Sequence, residues 1–402
     1  MKPVKRIYDT ILSDHLAQHR QMALVSGPRQ VGKTTTCRNH ADSYANWDNT
    51  DDQAFILAGP AAMAEQLGLD QLRDKPPVAL FDELHKYARW KQFLKGFYDS
   101  HADRVRVLVT GSSRLDTYRR VGDSLMGRYF LYHMHPFSVA ETIHRELPDP
   151  DRIVRLPKKP KAIDFDALWV HGGYPEPFLK RDPQFSRRWQ TLRTEQLLRE
   201  DLRDLTQVQQ IDQISALAKM LASRSGSQVN FSNLAKSVQV SVDTIRRWVE
   251  TLNNLHHAFL IRPWFKNVSR SLRKEPKWFL RDWAEIEDQG SRAETFVGCH
   301  LLKAVDGWND LGLGKFQLAY LRDKDKREVD FVVIRDGKPW FLVEVKQSET
   351  SLSPALRTFQ EQVKAPFAFQ VVIELDYVNA DCFAKPQVPI VVPARTFLSQ
   401  LI

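Results

Sequence analysis

Short apolar runs that end in small or charged residues punctuate the first third of the chain. Met22-Ala23-Leu24-Val25, Val78-Ala79-Leu80-Phe81 and Val105-Arg106-Val107-Leu108-Val109 are the clearest. Runs of this length with little polar alternation predict strands buried on both faces. Helical spacing between them predicts a parallel sheet covered by helices up to about residue 145. After the Lys- and Pro-rich stretch Leu156-Pro157-Lys158-Lys159-Pro160-Lys161, read as a linker or exposed loop, helical patterning resumes. Gly172-Gly173-Tyr174-Pro175-Glu176-Pro177 marks a tight turn, and a long arginine-rich helix is expected over roughly 183–205.

Between about Ile211 and Pro263 the pattern changes to short helices. Phe231 to Glu250 reads as helix, turn, helix, with Ser232 and Ser241 as N-caps. Leu234, Ala235, Val238, Ile245, Val249 and Leu252 supply its inward faces. Ala258 to Phe265 then predicts a β-wing, which would complete a winged helix. Thr244, Arg246 and Arg247 on the second helix are candidates for facing a nucleic-acid groove or its phosphates. In the last third the period shortens to two. Glu328 to Ile334 and Trp340 to Lys346 flank an Asp336-Gly337 hairpin turn, and a helix around 356–363 and a strand at 369–373 follow. With the preceding helix Ala293 to Lys303, the order is αβββαβ. The expected segments are 1–155, 156–210, 211–275 and 276–402.

Chemistry enters at the end of the first apolar run. Gly27-Pro28-Arg29-Gln30-Val31-Gly32-Lys33-Thr34, followed by Thr35, fits the phosphate-binding pattern G-x-x-x-x-G-K-[ST]. The glycines let backbone N–H groups turn inward around an anion, and the following helix adds the positive end of its dipole. Lys33 would reach the β- and γ-phosphates of ATP, and Thr34 would hold Mg²⁺. The second run ends in Asp82-Glu83, a Walker B pattern. Asp82 is placed on Mg²⁺ through water, and Glu83, one residue past the strand end, is placed to polarise the attacking water. The third run ends in Thr110-Gly111-Ser112-Ser113 at the same edge, where a sensor of the γ-phosphate would sit.

The C-terminal strands carry a second constellation. Alternation puts Asp330, Glu344 and Lys346 on related faces, an arrangement that suits a divalent ion and a water-activating lysine, with Glu294 as a further ligand. Charged residues on the wet face of a hairpin produce the same spacing.

Composition narrows the picture. The 402 residues predict several domains, and 58 Lys+Arg against 49 Asp+Glu give a net charge of +9, which favours a polyanionic partner such as DNA. No apolar run approaches a membrane span and the first residues lack the apolar core of a signal peptide, so a cytoplasmic, membrane-free location is expected. The three cysteines have no metal-binding spacing.

Taken together, the chain resembles bacterial and archaeal ATPases of the AAA+ superfamily in which a P-loop core is joined to a winged helix and a restriction-endonuclease-like domain. GPRQVGKT, LFDELHKYARW, VTGSSRLD, SLMGRYF, HPFSVAE and GGYPEP are similar to signatures of the ATPase part. REVDFVV and LVEVK are similar to the PD-(D/E)xK nuclease core, although Val329 stands where that pattern has proline. The resemblance implies an α/β P-loop core with ATP and Mg²⁺ on Lys33, Thr34, Asp82 and Glu83, Ser112 or Ser113 as sensor, and a homo-oligomeric ring, with a hexamer among the sizes to consider. It also implies an arginine for the γ-phosphate of a bound or neighbouring nucleotide: Arg128 first, Arg119 or Arg120 otherwise. Two functional classes follow: an ATP-driven machine on DNA, with metal-dependent cleavage as an optional output, or a regulatory ATPase whose nucleotide state controls assembly with a protein partner.

Overall fold

A computed structural model of the chain describes residues 4–111, 125–202, 211–264, 275–385 and 388–402. Ser112, Ser113, Arg119, Arg120 and Phe265 lie outside the described residues. The chain divides into two compact units. One runs to His135 and includes Arg145–Leu147; the other comprises Pro136–His144 and Pro148–Ile402. The first unit therefore ends short of the expected boundary at 155; the HPFSVAE segment falls in the second unit from Pro136 onward, and GGYPEP falls wholly within it.

The first unit is built on a five-stranded parallel sheet of β1 (Met22–Ser26), β2 (Ser43–Asn46), β3 (Val78–Asp82), β4 (Arg106–Gly111) and β5 (Tyr129–His133), in the order β2-β3-β4-β1-β5. Its three inner strands, β3, β4 and β1, are the apolar runs, buried along nearly their whole length, whereas the edge strands β2 and β5 are partly exposed. The helix Trp90–His101 shows how the inner strands are covered: Phe81 of β3 meets Phe93 and Phe97 edge-on, with centroids 5.6 and 5.5 Å away. Register brings Ser26 level with Gly111 and with His133, so the loops after β1, β4 and β5 leave from one edge.

The second unit contains a seven-stranded mixed sheet. Its strands are β6 (Ala258–Pro263), β7 (Lys277–Leu280), β8 (Phe316–Arg322), β9 (Glu328–Arg335), β10 (Lys338–Lys346), β11 (Phe367–Val372) and β12 (Ile390–Pro393), in the order β12-β11-β10-β9-β8-β6-β7. The helix Gln289–Asp310 precedes β8, the helix Pro354–Val363 lies between β10 and β11, and β12 and a short helix, Ala394–Ser399, follow. The expected wing takes a different place from the one the sequence suggested. β6 pairs antiparallel with β7, but Arg262 and Pro263 also pair in parallel with Ala319 and Tyr320 of β8. The hairpin is thus an edge of the large sheet, and a boundary at 275 would cut through it.

Ahead of that hairpin stand the helices Ile211–Ala222, Phe231–Val238 and Val242–Asn254. Ser241 caps the last of these by accepting the Thr244 N–H at 3.1 Å. Asn230, not Ser232, caps the middle one, accepting from Asn233 at 2.9 Å. Leu217, Leu234, Ile245, Trp248, Leu252 and Trp278 meet in one buried cluster. Trp248 was missed because an indole three residues beyond Ile245 reads as readily as a surface aromatic.

The Pro136–His144 segment is fastened within the second unit by polar contacts. Lys303 donates to the buried Glu141 carboxylate and, at 3.1 Å, to the Pro136 carbonyl. His300 Nε2 accepts the Val139 N–H at 3.0 Å while Nδ1 lies 2.7 Å from the Phe296 carbonyl, which requires the neutral Nδ1–H tautomer. Burial depresses this imidazole to about 3. A base whose folded pKa is depressed binds fewer protons folded than unfolded, so stability is full above pH ~6.5 and is lost as pH falls from there towards the folded value. Denaturation midpoints measured between pH 6.5 and 4.5 should therefore fall less steeply in His300→Gln, by up to about 1.4 kcal/mol per pH unit.

Candidate functional site

The site is assembled at the carboxyl edge of the five-stranded sheet, in the turn between Ser26 and the helix Lys33–Arg38. Gly27 has φ 155° and Gly32 φ 100°, and a Cβ at Gly27 would stand 2.2 Å from the Met134 carbonyl oxygen. Only glycine allows the loop to leave β1 so close to the chain emerging from β5. Gln30 also takes a left-handed φ of 61°. Arg6 holds the loop from behind: its buried guanidinium donates to the Val31 carbonyl at 2.9 Å and to the His135 carbonyl at 2.7 Å. Tyr8 adds a second tie, donating to the His133 carbonyl at 3.0 Å and accepting the His135 N–H at 2.9 Å. Nothing in the sequence around Arg6 marks this role, since its partners are carbonyls brought near only by the fold.

Lys33 is buried and donates to the Gly27 and Pro28 carbonyls at 2.9 and 2.8 Å. Burial lowers its pKa, opposed by the charges of Glu83 and Asp82. Its ammonium is thus a buried cation held by neutral oxygens, a setting in which an incoming anion is strongly favoured.

Opposite it, the buried Asp82 carboxylate gathers three hydroxyls. Thr34 Oγ1 lies 3.2 and 3.0 Å from its two oxygens, Tyr44 donates at 2.9 Å, and Thr110 donates from the end of β4. Parallel register makes this possible, setting Asn46 of β2 beside Asp82 and Phe81 beside Val109. Burial, with the Asp82 charge adding to it, pushes the Tyr44 hydroxyl up to about 12, so it stays a donor at neutral pH. Oxygen donors of this kind fit a hard divalent ion. Neither Tyr44 nor Thr110 was singled out as a site residue from sequence; Thr110 was legible as a small polar group at a strand end, whereas Tyr44 depends on β2 pairing with β3.

Glu83 follows with a left-handed φ of 53°, a strained value for a side-chain-bearing residue. Its carboxylate lies 3.5 Å from Lys86 Nζ, which binds Asp48 more closely at 2.6 Å. Arg128 sits elsewhere. Its carbonyl accepts the Met22 N–H at the start of β1, a strand length of on the order of 13 Å from the loop. Its guanidinium is bidentate to Asp99 at 2.6 and 3.0 Å. Its backbone therefore stands at the amino edge of the sheet, opposite the edge from which the loop leaves.

In the second unit, Asp330 and Glu344 come together as expected of neighbouring strands. Asp330 accepts the Val345 N–H at 2.9 Å, and Glu344 accepts from Lys346 at 3.0 Å. Glu294, assigned from sequence as a metal ligand, is instead 2.7 Å from Lys277 Nζ. That buried ammonium also lies 2.5 Å from Glu328 and 3.6 Å from Asp330. Among the described residues, no group of three or more His, Cys, Asp or Glu side chains is arranged to hold a metal ion. Burial, reinforced by the Asp330 charge, pushes Glu294 up to about 8 and Glu344 up to about 7. At Lys277 the surrounding carboxylates outweigh burial and hold the ammonium protonated. Sequence reading missed Lys277 because it lies on β7, far along the chain from the hairpin.

Comparison with known proteins agrees with the first assignment. Residues 19–143 match the family described as an AAA domain, and residues 162–284 and 289–394 match two domains of unknown function, DUF8612 and DUF4143. Two proteins described as uncharacterized, from Mycobacterium bovis and Mycobacterium tuberculosis, are each 26% identical over 363 residues, covering 85% of this chain and 74% of theirs. AMPPCP-bound DnaA from Aquifex aeolicus aligns at 12% identity with a TM-score of 0.28, over 60% of this chain and 86% of its own. C. elegans PCH-2 aligns at 13% identity with a TM-score of 0.25, over 60% and 66%. The AAA-domain match takes in the phosphate-loop turn, all five strands of the parallel sheet and Asp82, in agreement with the site described above. No helix among the described residues is long and apolar enough to cross a membrane.

Two substitutions test the geometry. Gly27→Ala should lower the stability of the first unit by about 2 kcal/mol or more, read from urea midpoints, because the methyl group meets backbone rather than a yielding side chain. Tyr44→Phe should leave the fold intact and weaken the Mg²⁺ dependence of nucleotide binding by several-fold, losing one hydrogen bond to a charged group.

Proposed function

We propose that the chain is an ATP-dependent machine that acts on DNA, with the ATPase unit using ATP and Mg²⁺ and the second unit contacting the nucleic acid. The observation that carries the ATP half is the buried Asp82 carboxylate facing Thr34, with the Lys33 ammonium across the loop. Lys33 exchanges its two loop carbonyls for phosphate oxygens, and backbone N–H groups from Arg29 to Thr35 complete the cradle, with Arg29, Gln30 and Val31 at its tip. Thr34 and Asp82 are the residues that would hold Mg²⁺, which would supply positive charge against that of the phosphates. Glu83 takes up the proton of the attacking water, and its strained backbone fixes where that carboxylate points.

The DNA half rests on the helix Val242–Asn254. Arg246 and Arg247 are exposed on it: Arg246 rests 4.5 Å from the Phe231 ring centroid, and Arg247 lies 3.5 Å from Thr244 Oγ1. Two exposed arginines on the second helix of the helix-turn-helix pair Phe231–Val238 and Val242–Asn254, in a chain of net charge +9, suit phosphate contacts. Assembly as a homo-oligomeric ring would give Arg128 a role as a charge offered to a neighbour's γ-phosphate. Metal-dependent cleavage is left out of this reading, because Lys277 already engages Glu294 and Asp330. The same feature favours the second reading, in which nucleotide state governs docking of a protein partner on a non-cleaving C-terminal unit.

ATP turnover measured with duplex, single-stranded and four-way-junction DNA separates the two. The DNA reading expects stimulation that weakens steeply with salt and is lost in Arg246→Ala/Arg247→Ala. Turnover indifferent to every DNA would sink it in favour of the partner reading. In either case Glu83→Gln should bind ATP normally and hydrolyse it roughly 100-fold more slowly.

A further inference from the structure

One group in the second unit has no counterpart in the expectations raised by its sequence. Lys277 is a fully enclosed ammonium, 3% exposed, on the short strand β7. Three carboxylates converge on it from two elements: Glu294 from the helix Gln289–Asp310, and Glu328 and Asp330 from β9, at 2.7, 2.5 and 3.6 Å. Glu328 is shared with Arg322 at 2.7 Å, and Glu344, buried beside Asp330 on β10, carries a side-chain oxygen with no hydrogen-bond partner among the described residues. Burying so much like charge is tolerated only around a cation. Glu294 and Glu328 stand at 2.7 and 2.5 Å from the nitrogen, close to the about 2.0–2.6 Å at which a divalent ion takes carboxylate oxygens, while Asp330 at 3.6 Å would have to close in on such an ion.

We propose that Lys277 is a built-in counter-cation, occupying the position that a divalent metal ion would need among Glu294, Glu328 and Asp330 and so closing this cluster to metal. It deepens the non-cleaving reading of the C-terminal unit given above and rests on it. The consequence is structural as well as chemical. The ammonium ties the β6–β7 hairpin, which follows the three-helix segment, to β9 and to the helix Gln289–Asp310, a link that an exchangeable ion would make only conditionally. The neighbouring Gln228 and Tyr320 strengthen that tie: Gln228 donates to the Tyr320 hydroxyl at 2.8 Å, and Tyr320 donates to the Glu275 carbonyl at 2.8 Å, just before β7.

The test is Mn²⁺ uptake by the full chain without nucleotide, followed by electron paramagnetic resonance of the free ion up to about 1 mM, the weak end of carboxylate cation sites. Wild type and Asp330→Asn should take up equal amounts. Lys277→Met should gain one Mn²⁺ per chain, the gain should vanish in Lys277→Met/Asp330→Asn, and Mn²⁺ should raise the melting temperature of Lys277→Met but not of wild type. Its basal ATP turnover should be unchanged. Mn²⁺ uptake by wild type that is lost in Asp330→Asn overturns the proposal, and so does a folded Lys277→Met with no added Mn²⁺. The comparison of wild type with Asp330→Asn decides the question even if Lys277→Met does not fold. DNA stimulation of ATP turnover in the wild-type sample reports separately on the functional reading.

Discussion

Asp82 can accept hydroxyls from Thr34, Tyr44 and Thr110 only because four parallel strands end level with one another. That constraint organises the first unit. β3 delivers the carboxylate, β4 delivers Thr110, β2 delivers Tyr44, and the loop leaving β1 delivers Thr34. The level edge depends in turn on the close passage of Gly27 over Met134, and the turn is held from outside by Arg6. A shift of any one strand by a residue would reverse its side chains and dissolve the cluster. Polar groups buried this deeply are stable only when fully partnered, so the network selects one register among the alternatives.

The second unit solves a comparable electrostatic problem by a different route. There the excess carboxylates of the helix Gln289–Asp310 and of β9 are balanced by a side chain of the same chain. In the first unit a carboxylate is dressed with neutral hydroxyls and an ammonium stands apart from it, an arrangement suited to an exchangeable metal and an exchangeable anion. In the second, ammonium and carboxylates are in direct contact. The contrast separates a site organised for turnover from one organised for permanence.

Much of the first unit was legible in the sequence, because its inner strands are buried on both faces and its chemistry sits in contiguous motifs. Gly27 to Thr34 and Asp82-Glu83 announce themselves through residue order alone. What was hidden depends on register and on distant segments: Tyr44 reaches Asp82 from a strand whose residues are only half-buried, and Arg6 acts on backbone carbonyls that leave no trace in side-chain pattern. Arg128 was misleading in one respect, since a strand start and a strand end look alike in sequence although they lie at opposite edges of the sheet. In the second unit the helices and the hairpin were readable from periodicity, but the destination of β6 was not. A strand following two helices looks like a wing until its second partner, β8, is known. Lys277 was invisible for the same reason.

Lys33 and its loop meet an anionic nucleotide at the carboxyl edge of the sheet if the proposed function holds. Isothermal titration of Mg²⁺-ATP into the wild-type chain and into Lys33→Ala measures this directly. One Mg²⁺-dependent site per chain in wild type, absent in the variant, is the expected result. Equal affinity and stoichiometry in the two proteins would contradict it, because a buried ammonium placed against the phosphates cannot be removed without loss if the nucleotide binds there.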